Sequence, residues 1–204
     1  MFNSPNKTIA YGAGGGGGIV GMSYFTTSGT WDKAAREADL GVKISRVIVE
    51  VLGAGGSGNK STNSEGNYNA GGGGGYAKKF IDVSDISSAT VEVGSGGAGI
   101  TGSVNGNAGG LSSWSDGVNT NVVGDGGSGG SASGSTGGTA TGGDLNINGG
   151  SSNIGSITNH PGNPSFLGSC VKQGAFMGYG YGSAPTQNSS LDGGNGIVIV
   201  TEIA

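Results

Sequence analysis

The chain is poor in most of what usually carries chemistry. One cysteine, Cys170, and one histidine, His160, stand in 204 residues. A single thiol excludes an internal disulfide framework, and two isolated residues do not make a Cys/His metal site. Proline occurs 4 times and the glycines keep no strict G-X-Y period, which excludes a proline-rich spacer and a collagen repeat. Charged residues are only 11% and the formal net charge is −4, a balance that argues against a nucleic-acid partner. No apolar run approaches membrane-spanning length, so no membrane insertion is expected. Met1–Ala10 has one lysine and no apolar core, so no signal peptide is read there, and synthesis in a reducing cytoplasm fits best. The carboxylates Asp82, Asp85, Glu92, Asp116, Asp125, Asp144 and Asp192 lack calcium-loop spacing, and local sequence places no acid–base pair among them. An enzyme, a cofactor and a metal are all unexpected.

What is present is glycine, 50 residues of 204. Ordering glycine costs more conformational entropy than ordering any other residue, and it has no side chain whose burial offsets that cost. The low net charge speaks against disorder, so the order has to come from backbone pairing. Extended helices of three residues per turn suit such runs, since they can lie close together joined by N–H···O=C bonds. One motif recurs. Arg46–Leu52, with Val47, Val49 and Val51 on one face at period two, runs into Gly53-Ala54-Gly55-Gly56-Ser57-Gly58. Ala89–Val93 runs into Gly94-Ser95-Gly96-Gly97-Ala98-Gly99, and Asn121–Val123 into Gly124-Asp125-Gly126-Gly127-Ser128-Gly129. Three times a short apolar strand hands over to G-x-G-G-[S/A]-G. The dinucleotide fingerprint G-x-G-x-x-G overlaps this pattern but requires a helix next, and Asn59–Gly66 has no helical period.

Taken in order, residues 1–22 read as an N-terminal arm or attachment segment and 23–204 as a glycine-rich β domain. Ser23–Thr27 reads as a strand and Val42–Leu52 as the central strand. Asp32–Leu40, rich in Ala, Arg and Glu, is the only helix candidate, with Thr30 offered as N-cap and Gly41 as stop. A first excursion leaves on Gly53–Gly58, turns through Asn59–Asn69 and returns on Gly71–Gly75 into a strand over Tyr76–Val83. A second leaves on Gly94–Gly99 and returns through Gly106–Gly110 to Leu111–Trp114. A third leaves at Gly124 and winds to Asp192, returning on Gly193–Gly196 into the closing strand Ile197–Ile203, which is placed centrally beside Val47–Leu52. Trp31 and Trp114 are read as core. The expected fold is mainly β: a small β-sandwich-like platform carrying ordered, polyglycine-II-like excursions, with at most one short helix.

Several stretches together resemble the glycine-rich domain at the distal ends of tailed-bacteriophage fibres. They are Phe25–Trp31, Val47–Gly58, Gly71–Lys79, Val91–Gly99, Gly109–Trp114 and Gly193–Val200. The resemblance covers almost everything from Tyr24 to Ala204, and the short glycine-rich adhesins capping T-even long tail fibres are a looser analogue. It implies a virion protein at a tail fibre tip, attached to other tail fibre or virion proteins. The bound receptor would be a bacterial surface glycan or an outer-membrane protein. Three-fold association as a homotrimer fits a fibre end, a monomer fits a separate cap, and a structural cap, spike or decoration without receptor binding is the alternative. Asp32–Ser45 departs from the pattern, being longer and richer in Ala, Arg and Glu than the proline-containing turn such domains carry.

Two regions offer recognition chemistry. The tip Asn59–Asn69 supplies Asn59, Lys60, Asn63 and Tyr68, a mixture of adaptable amides and one stiff ring. The second is Asn159–Phe166 with Phe176–Tyr181 beyond it, where Phe176, Tyr179 and Tyr181 are separated by small residues and suit stacking on sugars or gripping a loop; both regions are placed at tips far from the strands. Against that stands a plainer reading, in which Phe166, Cys170 and Phe176 form a satellite core. His160 precedes Pro161 with no second histidine or nearby carboxylate and is weak as a base or ligand.

Overall fold

A computed structural model describes residues 6–10, 17–59, 69–101, 105–152, 162–171, 175–184 and 190–204. The strands are β1 (Asn6–Ala10), β2 (Ile19–Phe25), β3 (Gly29–Asp32), β4 (Arg46–Leu52), β5 (Tyr76–Asp82), β6 (Ser88–Glu92), β7 (Ser112–Ser115), β8 (Val122–Gly124), β9 (Ala140–Thr141), β10 (Leu145–Ile147), β11 (Gly168–Val171), β12 (Ala175–Gly178) and β13 (Ile197–Ile203). One helix, α1 (Lys33–Leu40), follows β3. Hydrogen bonding orders the strands as β1-β2-β13-β4-β5-β10 in one sheet and β3-β6-β7-β8-β9 in a second, with β11-β12 a separate hairpin. The fold is mainly β, as expected.

Alternation in β4 decides how the sheets face each other. Val47, Val49 and Val51 are fully buried while Arg46 is exposed and Ile48 and Glu50 are half-buried. Their face meets Val198 and Val200 of β13, Phe25 of β2 and Ala77 and Ile81 of β5, and packs on Trp31, Ala89, Val91, Trp114 and Val122 of the second sheet. Trp31 and Trp114 lie at its centre, ring centroids 5.4 Å apart and tilted by 51°. The closing strand is central: β13 pairs antiparallel with β4 on one side and β2 on the other. Asn6–Ala10, expected within an arm, pairs antiparallel with β2 and adds an edge strand to the same sheet.

The helix starts later than expected, and for a reason. Trp31 is needed in the core, so β3 runs through Asp32 and pairs with Ser88–Val91, leaving Thr30 within the strand rather than capping a helix. Asp32 is the N-cap instead, its carboxylate accepting the Ala35 N–H at 2.8 Å. Gly41 ends the helix in the left-handed region at φ 68.

Between the strands the glycine runs pack on one another. From Gly53 to Asn59 the donor direction turns by a third with each residue. The N–H groups of Gly53, Gly56 and Asn59 reach the oxygens of Gly75, Gly72 and Asn69. Those of Ala54 and Ser57 reach Gly110 and Asn107, and those of Gly55 and Gly58 reach the Gly194 carbonyl and the Ser183 hydroxyl. The carbonyls of Ala54 and Ser57 in turn accept from Gly127 and Gly130, that of Gly55 from Gly97 and that of Gly56 from Ser183. A helix of three residues per turn produces this repeat. Run 53–59 is therefore enclosed by six others: 69–75, 94–100, 105–110, 124–130, 180–184 and 190–196. Burial keeps the same period, with Gly94, Gly97 and Ile100 buried while Ser95 and Ala98 are exposed. The two non-glycine positions of G-x-G-G-[S/A]-G stand three apart, one turn, and so share a face of their run.

The single long third excursion is corrected. The chain leaves on 124–130, turns at the Ser131–Gly134 bridge and returns on 135–139 to β9 and β10 at the sheets. It leaves again through 148–152, is back on 162–165 before the β11–β12 hairpin, and makes a last trip on 180–184 and 190–196. The Ser and Thr residues interleaved in 131–152 hide these reversals in the sequence, because they occupy the side-chain face of a run and leave its backbone pairing intact.

Candidate functional site

Every outward run ends at the side of the array away from the sheets, and polar side chains tie those ends together. The Asn59 N–H donates to Asn69 O at 3.0 Å while Asn59 Oδ1 accepts from the Asn69 N–H at 2.6 Å. Asn69 Nδ2 reaches Ser131 O at 2.6 Å, and Gly106 N reaches Gly130 O. Ser152 Oγ donates to Ala70 O and lies 2.9 Å from Ser135 Oγ, which accepts from Asn163 Nδ2. Ser190 N donates to Ile100 O. Chain segments 60–68, 102–104, 131–134, 153–161 and 185–189 all join runs at this end. The described ends of these runs form one hydrogen-bonded rim.

The nominated residues fare differently. Lys60, Asn63, Tyr68 and His160 lie outside the described residues. Asn59 is described and is 4% exposed, its side chain closing the first pair of runs rather than facing solvent. Tyr181, expected at a distal tip, is 7% exposed and belongs to the array. Its carbonyl accepts from Gly194 N, and its ring lies where a Cβ on Gly194 would come within 2.6 Å. The chain enters the array through Gly180, whose N–H donates to Asn195 O and whose carbonyl accepts from Gly74. That is the sheet end, next to Leu52, so Tyr179 and Tyr181 are placed near the platform and not far from it. Tyr179 packs on Leu52, Tyr76 and Ile197. The backbone of Phe176 pairs with Cys170 in the hairpin; its side chain is outside the description.

Phe166, offered by the sequence within the second recognition region and alternatively as satellite core, lies open. Phe166 is 52% exposed and stacks on Tyr76 with centroids 4.2 Å apart. Burial of the Tyr76 phenol, together with its hydrogen bond to Glu50, pushes it well above the usual tyrosine range.

Chemistry for catalysis is sparse. Among the described residues no group of three or more His, Cys, Asp or Glu is placed to hold a metal. An open groove of about 350 Å³ lies between α1 and the Ser84–Ser87 turn, lined by Lys33, Glu37, Asp85 and Ile86. Its Glu37 is held below the usual carboxylate range by hydrogen bonds from Lys43 and the Ile44 N–H. No described helix is long and apolar enough to cross a membrane. Charge is also unevenly spread. The only charged side chains in the described glycine runs are Asp125, bonded to Thr139, and Asp192, which accepts from Gly99 N. Neither protein-family models nor curated protein sequences give a match to this chain.

Proposed function

We propose that the chain is a virion adhesin at a tail fibre tip, which binds a bacterial surface receptor through connections displayed on polyglycine struts. The observation that carries this reading is the polarity of the molecule: strands and core at one end, five chain connections at the other, and hydrogen-bonded runs of about 19 Å between them. Such an array spends most of its residues on holding short segments away from a platform, which is how binding loops are commonly displayed. The resemblance to fibre-tip domains points the same way. The receptor is a surface glycan or an outer-membrane protein, and Asn, Ser and Tyr in segment 60–68 suit either.

A structural cap is the second reading, and the burial of Asn59 and Tyr181 favours it, since two residues nominated for contact are held inside the array. One experiment separates them. Purified protein should bind susceptible cells and block phage adsorption in a dose-dependent way. Tyr68→Ala should weaken that binding at least about tenfold, as loss of an aromatic anchor commonly does, with no change in melting temperature. Folded protein that neither binds cells nor competes with phage would leave the cap.

A further inference from the structure

The first sheet buries one face in the core, and among the described residues no layer covers most of its other face. Strand register places Ile9, Met22, Thr201, Ile48 and Phe80 side by side across β1, β2, β13, β4 and β5. Because Val47, Val49 and Val51 point into the core, Ile48 and its row point away from it. Ile9 is 43% and Phe80 50% exposed, and Leu145 of β10 adds another open side chain at 47%. Among the described residues, cover is found at the end of this face near the glycine array, where Leu167 and Tyr179 pack over Leu52, Tyr76 and Ile197 and Phe166 stacks on Tyr76. In the rest of the row Ile9 and Phe80 lie open, Met22 and Ile48 are half-buried, and Thr201 between them is buried.

Its borders carry a charge pattern. On one side of the Ile48–Phe80 pair stand Arg46 and, directly across, Asp82; on the other stand Glu50 and, directly across, Lys78. Reading along β4 gives plus, apolar, minus, and reading along β5 gives minus, apolar, plus. A second copy turned by a two-fold axis lying in the plane of this face and passing through that pair meets opposite charge at every corner. With the axis across the strands, Arg46 faces Glu50 and Asp82 faces Lys78; with the axis along them, Arg46 faces Asp82 and Glu50 faces Lys78. The pattern is self-complementary, as an isologous interface requires. The six strands, 5, 7, 7, 7, 7 and 3 residues long, at about 4.8 Å spacing and about 3.3 Å per residue span on the order of 600 Å², part of it covered at the array end, so the interface would be smaller than the roughly 800 Å² per partner of a standard one.

We propose that this face, centred on Ile48 and Phe80, is a two-fold interface between two copies of the chain. It leaves the connection-bearing end of each array free and pairs two adhesive units back to back. Sedimentation equilibrium on the full chain over about 1–100 µM tests it. The wild type should dimerise. Phe80→Ser, at an exposed position, should weaken the dimer at least about tenfold without lowering the melting temperature. Arg46→Glu sets like charges opposite one another about either axis and should weaken it too, more at low salt than at high. A wild type that stays monomeric throughout, that forms closed trimers, or whose dimer is unaffected by both substitutions overturns the interface.

Discussion

At Gly55 there is no room for a side chain. A Cβ there would lie 1.8 Å from the Tyr181 carbonyl oxygen and 2.2 Å from its carbon, both backbone atoms that cannot swing away. Its φ is not in the left-handed region, so the requirement is space and not conformation; the positive-φ glycines lie at turns such as Gly41 and at the array entrance, Gly180. Gly55 also donates to Gly194 O and accepts from Gly97 N, and pushing any neighbour aside breaks bonds on both sides. Gly55→Val should therefore cost at least about 3 kcal/mol and abolish cooperative melting followed by circular dichroism. Gly18 is the control, since a Cβ there meets nothing within 4 Å. Gly18→Ala should melt at or slightly above the wild-type temperature. Equal melting of all three proteins would show that the run at Gly55 is an ordinary loop. That glycine is required was legible in the sequence; which glycines are required for space was not, because the clashing atoms belong to other runs, at Gly55 to a residue more than a hundred positions away.

Elements with a period of two or an apolar burst declared themselves. β5 and β13 fall within a residue of expectation, and β4 ends where expected though it begins at Arg46 rather than Val42, because one face is a run of Val, Ile and Ala against the tryptophans. What fastens α1 to that frame did not declare itself. Glu202 of β13 is fully buried and accepts from Ser23 Oγ at 2.7 Å, Trp31 Nε1 at 3.2 Å and Arg36 Nε at 3.0 Å. Arg36, itself 7% exposed, also reaches the second carboxylate oxygen and Asp39. In the sequence Glu202 looks like an ordinary polar residue at the end of a strand. Glu202→Ala leaves the Arg36 cation and the Trp31 N–H without that acceptor, and should cost about 3–5 kcal/mol in urea denaturation. Replacing both members of the pair, Arg36→Met with Glu202→Leu, should recover most of that loss, since an apolar pair carries no desolvation penalty. A single variant as stable as wild type would show that the cluster contributes nothing net.

For the whole molecule, the chain's last strand closes the sheet and its last glycine run closes the array. β13 sits between β2 and β4, and Gly193, Gly194 and Gly196 bond to Gly97, Tyr181 and Gly94. A truncation ending at Asn195 removes Ile197, Val198 and Val200 from buried positions, each worth roughly 1.5–3 kcal/mol, and exposes two strand edges at once. That loss is comparable to the entire stability of a typical domain, so the truncated protein should be unfolded or insoluble. A soluble truncate with a cooperative melt would contradict the central placement of β13.

Composition alone determined that the order in this protein must come from its backbone: with 50 glycines and few large apolar residues, nothing else is available to hold the runs. The repeated strand-plus-hexapeptide determined that sheet and array alternate along the chain, and its two substituted positions, three apart, already contained the three-residue turn. Tertiary structure decided the neighbours. Glycine runs carry no side chains to mark a partner, so sequence cannot say that 53–59 is enclosed by six other runs or that the stretch after Gly124 makes three trips instead of one. It also decided where the aromatics lie. Tyr181 reads as a tip residue beside its glycines, yet Gly180 carries it into the array at the sheet end, because a backbone-packed run accepts a large ring only where a neighbouring glycine leaves space, here Gly194.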